Sequence, residues 1–355
     1  MMAQTSMQAS TREGRLVLRQ LDDCDRACWD TLLQDSPTGC FMQSWAWSEF
    51  KALEGYQVFR YGVFVEHQAA ENQLVGGSIF YFYPRPHTAN LLSAPGAPFV
   101  LPGFEAIAMP LLLLQAETLA AALGAIALRI EPLLTEKPAF LQGFVRAPMD
   151  MLPSETLLID LRPTDTERLA AMKPKGRYNL RLSQRHGVTT QFTTDSQMIP
   201  IFYDLFWETV ARQQFFGEPY GFFINLCQTL FAANLAEIGL ATWQGEVLSA
   251  ILVVYWGDRA TYLYGGRSPS HAHVMPNYVL HWAAMQRAKA KGCTLYDFYG
   301  YTQDPTHPYA KFSQFKRQFG GTRVTTIGAH DFFFYDRLAD TLIGLLQRSD
   351  VRGER

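Results

Sequence analysis

The sequence predicts an α+β protein made of two successive units, each a mixed sheet flanked by helices. Three observations lead there. A chain of 355 residues suggests two domains. Apolar residues make up 48% of it and aromatics 14%, which supplies a large core. The same order of periodic segments also runs through the chain twice: helices, an antiparallel hairpin or meander, a helix, and a returning strand.

Residues 15–21 alternate and read as a strand, and 22–33 have helical spacing. Ser44 is an N-cap for a helix that stops at Gly55. Residues 56–65 and 73–83 alternate on either side of a polar loop, which marks a hairpin. Residues 90–101, apolar and rich in Pro and Gly, form a strand leading into a loop. A helical stretch over 105–124 carries Pro110, a point of fracture. Residues 125–130 are a short strand that ends at Glu131-Pro132.

The second unit begins with a helix over 166–172, with Thr166 as its cap, and a basic helix over 177–185 that Gly187 ends. A strand at 188–192 and helices over 199–213 and 222–234 follow. Three strands, 237–243, 246–256 and 259–264, are joined by Gln244-Gly245 and Gly257-Asp258 turns. Pro276 opens the next helix, where its missing N–H costs nothing. Arg287, Lys289 and Lys291 suit its C-terminal dipole, and Gly292 ends it. A strand at 294–299 ends at Gly300, and a loop with Pro305 and Pro308 follows. In 311–321 aromatics then alternate with cations beside Gly320 and Gly321, which permit tight turns. A lysine held between aromatics is partly desolvated, so its charge acts more strongly on a neighbour. This order of elements is that of the acyltransferase fold of the GNAT superfamily, here in two tandem copies.

Net charge is −2, so no global field attracts nucleic acid, and any RNA contact must come from a local patch. One patch qualifies. Lys173, Lys175, Arg177, Arg181 and Arg185 lie in a stretch with no carboxylate between Glu167 and Asp195. It reads either as a track for RNA phosphates or as a solvated helix face. The five cysteines form no C-x-x-C pair, and no His/Cys cluster has metal-ligand spacing, so no metal is expected. An odd count without a secretory signal fits reduced thiols in the cytoplasm. Residues 1–14 are polar and read as disordered. The stretch 107–128 approaches a membrane span, but Pro110, Gln115 and Glu117 interrupt it. It reads as a buried helix, and peripheral contact with the inner face of the membrane stays open.

A GNAT-type fold normally suggests acetyl-CoA, bound by a [Q/R]-x-x-G-x-[G/A] turn whose N–H groups cradle the pyrophosphate. The corresponding junction, 265–273, lacks that glycine spacing, and Gln73-Leu74-Val75-Gly76-Gly77-Ser78 precedes a strand. No cofactor is therefore expected. No Ser/His/Asp or Cys/His arrangement stands out either.

Two stretches resemble the FemABX family, the aminoacyl-tRNA-dependent transferases that add bridge amino acids to peptidoglycan precursors. One is MPNY, helix, YDFYG, KF, FKRQFGG over 275–321. The other is MKPKGRYNLRLSQRHGV over 172–188, which is similar to the family's M-K-x-K-x-R-Y-N-I-R-x-A-x-x-x-G-V. FMQSWAWSEFK, LRIEP and TLLIDL add weaker likenesses in family order. No insertion matches the long helical arm of some members, so the chain resembles the short type. The resemblance implies a first unit over 15–155, a second over 156–321, and a tail, 322–355, that packs back on the first.

The resemblance also implies roles. Lys316 would stabilise the oxyanion that forms when an amine attacks the ester of aminoacyl-tRNA, with the backbone of Phe315 assisting. Lys51 and Arg212 would contact the diphosphate of a nucleotide- or lipid-linked muropeptide, and Tyr264 its sugar or phosphate. Phe216 stands where the family pattern has tyrosine. The family's R-G-P-V-like turn has no arginine in the nearest stretch, 93–100. For the base, Asp297 at a strand end is a candidate, beside the plain reading of a loop-capping carboxylate. Two other readings remain open: a CoA-dependent N-acyltransferase acting on a cell-envelope glycan or amine, and a non-catalytic tRNA- or muropeptide-binding module.

Overall fold

The structure is a computed structural model that describes residues 7–10, 15–66, 72–85, 89–307 and 309–334. It divides into two compact units, 1–152 with 326–355, and 153–325.

In the first unit β1 (Met7–Ser10) pairs antiparallel with β2 (Arg15–Gln20). The expectation of disorder through residue 14 therefore fails at 7–10, because backbone pairing at a sheet edge needs no apolar pattern. Two helices follow, α1 (Arg26–Gln34) and α2 (Trp45–Leu53). Ser44 caps α2 by accepting the Trp47 N–H. β3 (Gln57–Glu66) and β4 (Gln73–Phe82) pair antiparallel. Then come β5 (Asn90–Pro95), β6 (Phe99–Val100), α3 (Glu105–Leu123), β7 (Ala125–Glu131) and β8 (Val145–Arg146). β5 runs parallel to β7, and α3 is their crossover. α3 runs on through Pro110. Its buried face, including Ala108, Leu112, Ala116 and Ala120, packs in this unit's core and outweighs one lost backbone hydrogen bond. Among the described residues α3 is the one helix long and apolar enough to cross a membrane.

The second unit opens with β9 (Glu155–Asp160) and α4 (Asp165–Ala171). Thr164, not Thr166, caps α4, in a reciprocal box with Glu167. α5 (Pro174–Arg185) starts three residues earlier than the basic run suggests, because Pro174 fits the first turn. β10 (Thr189–Thr193), α6 (Ile199–Gln213), α7 (Tyr220–Ala232) and the meander β11 (Ala236–Trp243), β12 (Glu246–Trp256), β13 (Arg259–Arg267) follow. α8 (Pro276–Ala290) crosses to β14 (Leu295–Asp297), which is parallel to β13. The segment expected to turn tightly at 311–321 is instead α9 (Ala310–Lys316) and a 3-10 turn over 317–319. Phe312, Phe315 and Phe319 fall at helical spacing there. β15 (Thr322–Thr325) pairs with β9, so these residues complete the second unit's sheet. The strand order is β10-β11-β12-β13-β14-β9-β15. The tail expected to leave at 322 leaves at 326, and β16 (His330–Phe333) joins β7 and β8 in the first unit. The rest of that tail, 335–355, lies outside the described residues.

Candidate active site

The second unit's sheet opens at its middle. β13 and β14 are paired over only three positions, Arg259–Thr261 against Leu295–Asp297. Beyond Asp297 the chain turns away through Tyr299 and Gly300, both at positive φ, while β13 continues to Arg267. Into this divergence α9 sends the side chain of Lys316. Its ammonium donates to the carbonyls of Tyr299 (2.5 Å) and Gly300 (2.6 Å) and lies 5.6 Å from the Tyr262 ring centroid. Lys316 is only 7% exposed. Burial pulls its pKa down to about 7, and the nearby Asp297 carboxylate offsets part of that.

A cleft of about 360 Å³ faces it, walled by α6, β12, β13, the start of α8 and α9. Lys316, Phe315, Lys311, Arg212 and Arg267 all line this cleft, and among the described residues no carboxylate does. Arg212 donates to the Arg267 carbonyl (3.3 Å) and the Thr209 hydroxyl (3.2 Å), while its Nε is buried without a partner. Arg267 is desolvated and faces Arg212, and both effects lower its pKa. Asn277 Oδ1, also on the cleft wall, is buried and unpartnered. Such a surface suits an anion and a hydrogen-bond donor.

Two motif stretches hold α9 in place. A Cβ on Gly176 would fall 2.3 Å from the Gln318 carbonyl, and one on Gly320 would fall 2.7 Å from the Ala171 carbonyl. The stretch 172–188 and the segment after α9 thus pack backbone against backbone. Behind Lys316, Phe315 lies edge-on to Tyr278 (5.1 Å) and contacts His281 (5.4 Å). His281 Nδ1 is 2.9 Å from the Tyr296 hydroxyl. Burial, aided by Lys316, pushes the His281 pKa to about 3, so this ring is neutral.

The other residues singled out in the sequence fall elsewhere. Asp297 is buried outside the cleft lining. Its carboxylate accepts the Thr156 hydroxyl and the Tyr299 N–H (2.8 Å) and pairs with Arg259 (3.4 Å). That arrangement fits a strand-end cap. The Tyr264 ring sits among Phe206, Phe222 and Phe223, and burial raises its hydroxyl pKa. Phe216 is 83% exposed and outside the lining. Lys51, in the first unit, lies 3.8 Å over the Tyr56 ring. On α5 the side chains of Lys173, Lys175, Arg181 and Arg185 are exposed. Arg177 instead donates to the Ala170 (2.9 Å) and Met172 carbonyls and so clamps the α4–α5 junction. The basic end of α8 does not extend this track. Arg287 and Lys291 pair with Glu237, and Lys289 donates to the carbonyls of Arg162 and Pro163. The sequence reading missed Arg267, whose signal was a cation directly after Gly265-Gly266, and His281, a polar residue on an apolar helix face.

The turn before α8 is a poor cradle for a CoA pyrophosphate. The N–H groups of Val274 and Met275 are spent inside the turn, on His271 and Ala272, and Pro276 has none. Gly266 serves packing, since its Cβ would meet the Leu205 carbonyl at 2.2 Å.

A helix crossing between two parallel strands, present in both units, defines a tandem GNAT-type fold. An acetyltransferase (GNAT) domain family matches residues 174–317. Within that class the chain is similar to FemX and to a lipid II:glycine glycyltransferase. A crystal structure of FemX superimposes with a TM-score of 0.80 at 20% identity, covering 91% of this chain and 99% of that one. A tandem GNAT protein from the clavulanic acid biosynthesis pathway gives 0.54 at 13% identity, covering 89% and 98%. The lipid II:glycine glycyltransferase of Staphylococcus aureus (strain MRSA252) is 22% identical over 85% of this chain and 90% of its own length.

Proposed function

We propose that the protein is an aminoacyltransferase that moves an amino acid from aminoacyl-tRNA to an amine of a peptidoglycan precursor. The observation that carries this reading is the seat of Lys316, a buried cation held by two carbonyls on the wall of a cleft that no carboxylate lines among the described residues. The reaction's main barrier is charge building on the ester carbonyl oxygen. An ammonium fixed in low dielectric meets that charge without reorganising. The ester is already activated, so no covalent enzyme intermediate is required. Arg212 and Arg267 suit a phosphate of the precursor, and the exposed cations of α5 suit the phosphates of the RNA acceptor stem. The FemABX resemblance adds Lys51 as a diphosphate contact. The similarity to a lipid II:glycine glycyltransferase supports a muropeptide acceptor, on the side of the membrane where precursors are made.

The test is mass spectrometry of muropeptide precursor incubated with protein, total tRNA and an aminoacylation mix, with acetyl-CoA as a separate arm. A mass increase of one aminoacyl residue that disappears with ribonuclease is the expected result. Acetylation instead would assign the CoA-dependent alternative. Binding of both ligands without turnover would leave a binding module. Lys316→Met should lower kcat by roughly 10²–10³ with little change in substrate binding, as for loss of one oxyanion donor.

A further inference from the structure

We propose that Lys316 is also the proton acceptor of this reaction: as a neutral amine it takes a proton from the attacking ammonium, and the cation so formed then faces the carbonyl oxygen. The inference rests on the transferase reading above and adds the missing base to it.

Geometry carries it. A neutral primary amine has two N–H bonds and one lone pair. Two fixed acceptors, the Tyr299 and Gly300 carbonyls at 2.5 and 2.6 Å, take the two N–H bonds. The lone pair is left for the cleft that Lys316 lines. Protonation puts a third N–H in that same position, where an oxyanion forms. Among the described residues the cleft offers no competing base, since neither carboxylate nor histidine lines it. Asp297 is occupied by Thr156, Tyr299 and Arg259, and His281 is 1% exposed and bound to Tyr296.

The charged and titratable groups around Lys316 are few. Asp297 acts from β14, His281 from α8 and Tyr262 from β13. Lys311 on its own helix, with Arg212 and Arg267, shares the cleft wall. Burial outweighs the Asp297 anion, and a value of about 7 populates both forms near neutrality. That match of base to working pH is what efficient proton transfer requires.

The step balances. The acceptor's R–NH₃⁺ gives one proton to Lys316 Nζ, and the R–NH₂ lone pair forms a C–N bond to the ester carbon. The carbonyl π pair moves to oxygen as O⁻ beside the new lysine ammonium. Collapse breaks the bond to the ribose oxygen, which leaves with the proton shed by the new amide nitrogen. Lys316 then releases its proton to solvent.

The test combines two measurements on wild-type protein. Lysine side chains labelled with ¹³C at Cε report the protonation of Lys316 in ligand-free protein by NMR. In parallel, kcat/KM for transfer is followed between about pH 5 and pH 9. One lysine should titrate near 7, and kcat/KM should fall about tenfold per pH unit below the same midpoint. Lys316→Arg, which keeps a charge but cannot lose its proton, should remove that limb along with most activity. The proposal is overturned if Lys316 titrates above about 9, or if transfer ignores its titration. Absence of transfer at every pH would overturn the transferase reading itself. Transfer with a flat profile would overturn the base role alone.

Discussion

Lys316→Met should remove a pH dependence of stability that wild type carries. A lysine free in the unfolded chain titrates at 10.5, whereas Lys316 in the folded chain titrates near 7. The difference amounts to ~5 kcal/mol of penalty on the buried cation, at about 1.4 kcal/mol for each tenfold change in the proton equilibrium. The sign follows from proton counting. Below pH 7 both states carry the proton, and the folded state bears the full penalty. Between 7 and 10.5 the unfolded chain binds more protons than the folded one, so stability rises with pH. Above 10.5 the penalty is gone. Methionine has no such penalty at any pH. It does desert the carbonyls of Tyr299 and Gly300, at about 1–3 kcal/mol each, but that loss does not depend on pH. The stability difference between wild type and Lys316→Met should therefore shift by ~2 kcal/mol between about pH 7 and pH 9, towards wild type at the higher pH. Urea unfolding of both proteins at the two pH values measures it. An identical difference at both would show that Lys316 keeps an ordinary pKa, and the desolvated ammonium would be lost as an explanation of the site.

Three further outcomes are expected. Arg181→Glu with Arg185→Glu should weaken tRNA binding and flatten its salt dependence by roughly 0.7–0.9 per lost phosphate contact, measured by filter binding across a salt series; an unchanged slope removes α5 from the RNA site. Arg267→Ala should raise the KM of the phosphorylated acceptor by roughly 10–100-fold, the loss of about 1.5–3 kcal/mol, with the KM for tRNA steady; a rise for tRNA alone would assign the cleft anion to the donor. Gly176→Ala places a Cβ 2.3 Å from the Gln318 carbonyl, so it should cost about 1–3 kcal/mol in thermal unfolding and lower kcat by shifting α9; unaltered stability and rate would mean that the two motif stretches are not mechanically joined.

Much of this site was legible in the sequence because it is written in short range. Glycine, proline and aromatic spacing located α8 and the turn after β14, and the alternation of cations with aromatics marked Lys316 as desolvated. Periodicity likewise fixed the meander of β11, β12 and β13, since each strand's pattern is local. The roles of individual charges were not legible. Arg177, Arg181 and Arg185 look alike in sequence, yet Arg177 spends its guanidinium on the Ala170 and Met172 carbonyls while the other two face solvent. In sequence Asp297 read as a candidate base and Lys316 as a cation for the oxyanion. Only the fold buries one behind Thr156 and Arg259 and aims the other into a cleft. Arg267 gained its place opposite Arg212 from the packing of α6 on β13, residues 55 apart in the chain. Propensity and period act over a few residues. Desolvation and hydrogen-bond occupancy, which decide what a charge can do, depend on neighbours that only the tertiary structure supplies.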